Sequence, residues 1–152
     1  MASLKLIALE PDDLEVVSAH LQDAVLTTGD MTYRPIEKRF VMLANRFDWL
    51  SVDVRRSTGQ AGERHRAAMR VERVLGAQVT GIDLTRSDGP LELLAVQFHP
   101  AAEPPAGHVT LVFAGGAAIR LQVECVEVGL EDIGGAWLAK RPRHDVDDPA
   151  AV

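Results

Sequence analysis

The densest mix of polar and aromatic side chains in the chain is Asn45-Arg46-Phe47-Asp48-Trp49. A guanidinium, an amide and an indole this close can hold a small anion: Arg46 and Asn45 supply donors and Trp49 an apolar wall. Arg39 and Arg70 lie in the same basic stretch, so the candidate ligand-binding set is Arg39, Asn45, Arg46, Trp49 and Arg70. Between Arg34 and Arg73 there are ten basic and five acidic residues, a surplus of five in a chain whose net charge is −6. The remainder therefore carries −11. Such asymmetry can mark an anion-binding face. The plainer reading is a set of arginine-rich, solvated strand faces. On that reading Asn45, in phase with Val41, Leu43, Phe47 and Trp49, is a buried amide that pins the chain by hydrogen bonds. Arg46 and Asp48 then pair on the other face.

Other reactive types are sparse. The histidines are His20, His65, His99, His108 and His144. None forms an HxH or HExxH pair, so no local metal site is expected, although distant side chains can converge. His20 and Asp23, three apart, could relay a proton, but a solvated polar face is the plainer reading. Cys125 is the sole cysteine. In Leu121-Gln122-Val123-Glu124-Cys125 it is in phase with Leu121 and Val123, so a buried, inert thiol is expected rather than a nucleophile. Gly115-Gly116 sits between two strand patterns. It lacks the Lys-Ser/Thr of a phosphate loop and the spaced glycines of a dinucleotide fingerprint. No catalytic residue, metal or cofactor is assigned. Nucleic acid would need the arginines plus Tyr33, Phe40, Phe47 or Trp49 for stacking, but a pI near 5.3 is far from the ~9 usual for such domains.

The elements that must position these residues follow from periodicity. Leu4–Leu9 reads as a strand. Glu10-Pro11-Asp12-Asp13 opens a helix, since proline fits the first turn and acids favour its positive end. Leu14, Val17, Leu21, Ala24 and Val25 form its apolar stripe. Met31–Arg34 and Arg39–Trp49 make a hairpin around Pro35–Lys38, and Ser57–Gly62 reads as a loop. Arg64–Ile82 fits a helical face in part, but its alternation and β-branched residues favour a strand with a break near Arg73–Gly76. Leu91–Phe98 is a strand ended by His99-Pro100. His108–Phe113 and Ala117–Val128 flank a three-residue loop, Ala114-Gly115-Gly116. That loop sets Phe113 opposite Ala117, Leu111 opposite Ile119 and Val109 opposite Leu121, with Gly116 left-handed and the more sensitive glycine. Leu130–Gly135 reads as a helical turn, with Trp137 and Leu138 capping the core.

Together these give an α+β fold. One N-terminal amphipathic helix packs on a bent, mostly antiparallel sheet of six or seven strands, which can close partly into a barrel. Residues 1–139 form a single domain and 140–152 a flexible tail. The length suits one domain that needs no staples, and the lone cysteine suits a reducing cytoplasm. No run of ~18 apolar residues exists to span a membrane. The stretches Leu14–Ala24 (LEVVSAHLQDA), Lys38–Trp49 (KRFVMLANRFDW), Arg73–Ile82 and Val109–Gly135 together make a specific pattern. On them the chain resembles the alphaproteobacterial family called domain of unknown function 2948, over nearly everything but the tail. The resemblance implies no activity, cofactor or catalytic residue. The leading expectation is a small non-catalytic binding or regulatory domain, for a protein partner, a second copy or a small anionic ligand. A small metal-independent metabolic enzyme is the alternative, and a weak nucleic-acid binder the third.

Overall fold

The computed structural model describes residues 3–48 and 61–140. Strand β1 (Lys5–Ala8) leads into helix α1 (Pro11–Leu21). Pro11 occupies the first turn, and the Asp13 carboxylate accepts from the Leu9 and Glu10 N–H groups at 3.3 Å, satisfying donors that the helix itself leaves open. Leu14, Val17 and Leu21 are buried on one face, as their spacing predicts. The helix stops earlier than its stripe suggests. Asp23 turns left-handed (φ 64°) and its N–H bonds Leu93 O at 2.8 Å, so Ala24 and Val25 leave the helix and enter strand β2 (Ala24–Thr27).

The remaining strands are β3 (Met31–Arg34), β4 (Arg39–Asp48), β5 (Ala61–Glu72), β6 (Val74–Thr80), β7 (Pro90–Pro100), β8 (Gly107–Phe113), β9 (Ala118–Val123) and β10 (Val128–Lys140). They form one sheet in the order β1-β10-β5-β4-β2-β7-β8-β9-β6, with β3 on β4, and every pairing is antiparallel. The α+β class therefore stands, but with ten strands among the described residues rather than six or seven. Three strands make the difference: β2, the division of one long run at Arg73, and β10, which replaces the expected helical turn at Leu130–Gly135. In β10, Val128, Leu130 and Asp132 alternate inward in step with Val71, Met69 and Ala67 of β5; the register then shifts between Asp132 and Ala136, so Gly134-Gly135 fall at an irregularity within the strand rather than in a helical turn.

The sheet is not closed, so the barrel expectation fails: among the described residues β1 and β6 end the strand order, and β3 is a further edge beside β4. Instead the chain itself bends. Arg73, left-handed at φ 62°, is the single residue between β5 and β6, so one run pairs with β4 and β10 before the bend and with β9 after it. The Glu124 N–H bonds Arg73 O at 3.0 Å and the Glu72 N–H bonds Glu127 O at 2.9 Å, so Glu124–Glu127 turns the same corner. The expected strand Ala117–Val128 is broken there. Its alternation lapses, and Cys125 is half-buried rather than buried. The β8–β9 register is the expected one, with Leu111 opposite Ile119 and Val109 opposite Leu121. The expected tail lies almost wholly outside the described residues, as do Trp49 and most of the Ser57–Gly62 loop. Among the described residues no helix is long and apolar enough to cross a membrane.

Candidate functional site

The longest ladder, β4 with β5, decides where polar groups collect. On its inward face Phe40, Met42 and Ala44 lie opposite Val71, Met69 and Ala67, all buried. The next two pairs on the same face are polar: Arg46 opposite His65, then Asp48 opposite Glu63. Asp132 of β10 arrives beside them. The core thus ends in a cluster of ionisable side chains held by three adjacent strands.

Arg46 and Asp132 form its base. The Arg46 Nε and Nη2 donate to Asp132 Oδ1 and Oδ2, both at 2.8 Å, with side-chain exposures of 5% and 1%. This is the planar two-pronged pairing that arginine makes best. Asp132 Oδ2 also accepts from the Leu4 N–H at 2.9 Å, tying the N-terminal strand to β10. Burial works to raise the Asp132 carboxyl, but the Arg46 hydrogen bonds, the Leu4 N–H and the Arg46 charge outweigh it and hold the group below its ordinary value. In front of this pair stands His65, only 4% exposed. Its Nδ1 is 3.6 Å from Asp132 Oδ2, and its Nε2 is 3.5 Å from both Asp48 Oδ2 and Glu63 Oε1. His20 on α1 borders the same cluster rather than open solvent. Burial and the Arg46 charge lower its pKa, against the opposing pull of Asp48 and Asp132.

Of the five residues singled out from the sequence, the four that are described do not all come together. Arg46 is on the inward face and bonded to Asp132. Arg39, Asn45 and Arg70 project from the opposite face of the ladder. There Arg39 Nε bonds both oxygens of Glu72 at 3.1 and 3.0 Å, and Arg70 Nη1 bonds Glu72 Oε2 at 3.2 Å. Asn45 Oδ1 accepts from Arg66 at 3.3 Å, and Arg66 also meets Asp30. Trp49 lies outside the described residues. The basic surplus of this stretch is largely matched by carboxylates brought from elsewhere: Lys38 meets Glu124, and Arg73 meets Glu127. Arg46 meets Asp132.

A second polar surface lies at the far edge of the sheet. A groove of about 320 Å³ is lined by Gly76, Ala77 and Gln78 of β6 with His108, Arg120 and Gln122. Arg120 donates to His108 Nδ1 at 3.3 Å and has no carboxylate partner among the described residues. Burial, then the Arg120 charge, lowers the His108 pKa.

A family model described as "Protein of unknown function (DUF2948)" matches residues 4–144. The chain belongs to this family. The match takes in both polar regions and every described strand. No curated protein and no solved structure matches the chain. What the family member's residues do must therefore come from their geometry. Glu63, His65 and Asp132 escaped the sequence reading because they form no local motif. One signal was present: in 63–71 a glutamate and a histidine stand in phase with Ala67, Met69 and Val71, on what is otherwise an apolar face.

Proposed function

We propose that the protein is a non-catalytic cytoplasmic binding domain that takes an extended, acidic segment of a protein partner as an added strand along β6. The observation behind this reading is the composition of that edge. Val74–Thr80 carries no charge and no proline, in a chain of which 25% is charged. Edge strands are normally guarded by charge, proline or cover, because their open N–H and C=O groups recruit further strands. Leu75 and Val79 on this edge are 46% and 39% exposed. Strand addition draws affinity from the main chain and selectivity from neighbouring pockets. The adjoining groove offers Arg120 to an Asp or Glu of the incoming segment. Self-pairing of two β6 edges would instead gather two Arg120 guanidinium groups about one joint, which disfavours a second copy. The pairing of most described arginines between Arg34 and Arg73 leaves little support for a phosphate track. A single cysteine accords with a reducing compartment.

The test is selection from a random 12-residue peptide library on the full-length protein, followed by fluorescence anisotropy of the enriched peptides. Enrichment of acidic, alternating apolar sequences is expected, with affinity falling tenfold or more in Arg120→Glu and in Val79→Lys. Both positions are exposed, so the fold should survive. No enrichment, or peptides that bind both variants as well as the parent, would overturn the reading.

A further inference from the structure

Beyond that edge, we infer that Asp48, Glu63 and His65 form a binding site for one divalent first-row transition ion at the open end of the core. The three ligand atoms lie within 4.8 Å of one another. His65 supplies the independent pointer. It is buried, yet Nε2 has no hydrogen-bond partner among the described residues. An imidazolium bridging two carboxylates would close to about 2.7–3.2 Å, whereas Nε2 stands 3.5 Å from each. That spacing suits atoms sharing a cation: bonds of about 2.1 Å at tetrahedral angles separate neighbouring ligands by about 3.4 Å.

The surroundings fit the same role. Behind the ring, Asp132 Oδ2 lies 3.6 Å from Nδ1, where metal-bound imidazoles commonly have a carboxylate that fixes ring orientation and raises basicity. Asp132 is itself fixed by Arg46 and Leu4. One imidazole with two carboxylates selects zinc, iron or manganese over calcium, which takes six to eight oxygens. Asp48 and Glu63 keep side-chain exposures of 19% and 13%, so the ion can enter from solvent and retain water on its outer side. His20, on the helix beside the site, feels the charges of Arg46, Asp48 and Asp132. The ligands sit on two rigid strands at directly opposed and next-but-one positions, so little ordering is needed on binding.

The experiment is titration of the chelator-treated full chain with ZnCl2 and, separately, MnCl2, followed by calorimetry, with bound metal counted by plasma emission. One equivalent per chain is expected. Glu63→Gln and Asp48→Asn should each weaken binding tenfold or more while keeping the parent far-ultraviolet circular dichroism. His99 and His108, directly opposed across β7 and β8, could chelate zinc adventitiously, so His108→Gln should leave the stoichiometry unchanged. Binding of neither ion would overturn the inference. So would binding that survives Glu63→Gln and Asp48→Asn, or that is lost in His108→Gln.

Discussion

Replacing Asp132 by asparagine keeps the side chain's shape and removes the charge that Arg46 faces. The structure sets the scale. Both partners are buried, two hydrogen bonds of 2.8 Å join them, and Leu4 uses the same carboxylate. Breaking a buried pair by deleting one partner costs about 3–5 kcal/mol, because the survivor is left charged and dry. Asparagine retains one acceptor oxygen, so about 3 kcal/mol is the expected loss in urea melts at pH 7. For a domain of this size that is roughly 6–12 °C in melting midpoint. The pH dependence has a definite sign. The folded carboxyl titrates below its ordinary 3.8, so its stabilisation is complete above the unfolded value and is lost as pH falls through the folded one. The gap between parent and variant should hold from pH 7 to about 5 and close below about 4. The double variant Arg46→Met with Asp132→Leu should recover most of the loss, since an apolar pair of similar volume replaces the ions. A single variant within about 1 kcal/mol of the parent at pH 7, or a gap unchanged at pH 3, would refute the reasoning.

Two further predictions concern the scaffold. Leu21→Ala, at 1% exposure, should cost about 2–5 kcal/mol, whereas Val16→Ala on the same helix, at 50% exposure, should stay within about 0.5 kcal/mol; urea midpoints separate them. Gly115 and Gly116 are both left-handed, at φ 82° and 81°, and neither has an atom within 4 Å of where a Cβ would stand. Substituting valine at either should therefore cost a similar amount, about 1–2 kcal/mol from backbone strain alone, which corrects the expectation that Gly116 is the more sensitive.

Elements whose signal is local were legible in the sequence. The face of α1 is set by Leu14, Val17 and Leu21, and the β8–β9 register by alternation on either side of Ala114-Gly115-Gly116. What escaped depends on partners distant in sequence. The break near Arg73–Gly76 was legible, but not that it is a left-handed corner shared with Glu124–Glu127, which takes Cys125 out of phase with Leu121 and Val123. The polar cluster escaped for the same reason. Arg46 and Asp48 read as sharing one face, as they do, but the carboxylate that meets Arg46 at 2.8 Å comes from Asp132, 86 residues on, which no local pattern announces. The anion-site grouping of Arg39, Asn45, Arg46 and Arg70 ignored that alternation: Arg46 stands out of phase with Arg39 and Asn45.

The position of β10 between β1 and β5 also constrains the order of assembly. Among the described residues β1 pairs with β10 alone, and β10 is the last of the described strands to be made. At ribosomal rates of 5–20 residues per second, Lys5–Ala8 waits roughly 7–26 s for its partner. Through that interval one side of β5 is an open edge, and Val71 and Met69 lack the Val128 and Leu130 side chains set opposite them. Such pairings between distant segments are slow to form and exposed to aggregation until they do. The sheet is thus completed only once β10 has been made, and a nascent chain is at its most vulnerable just before that.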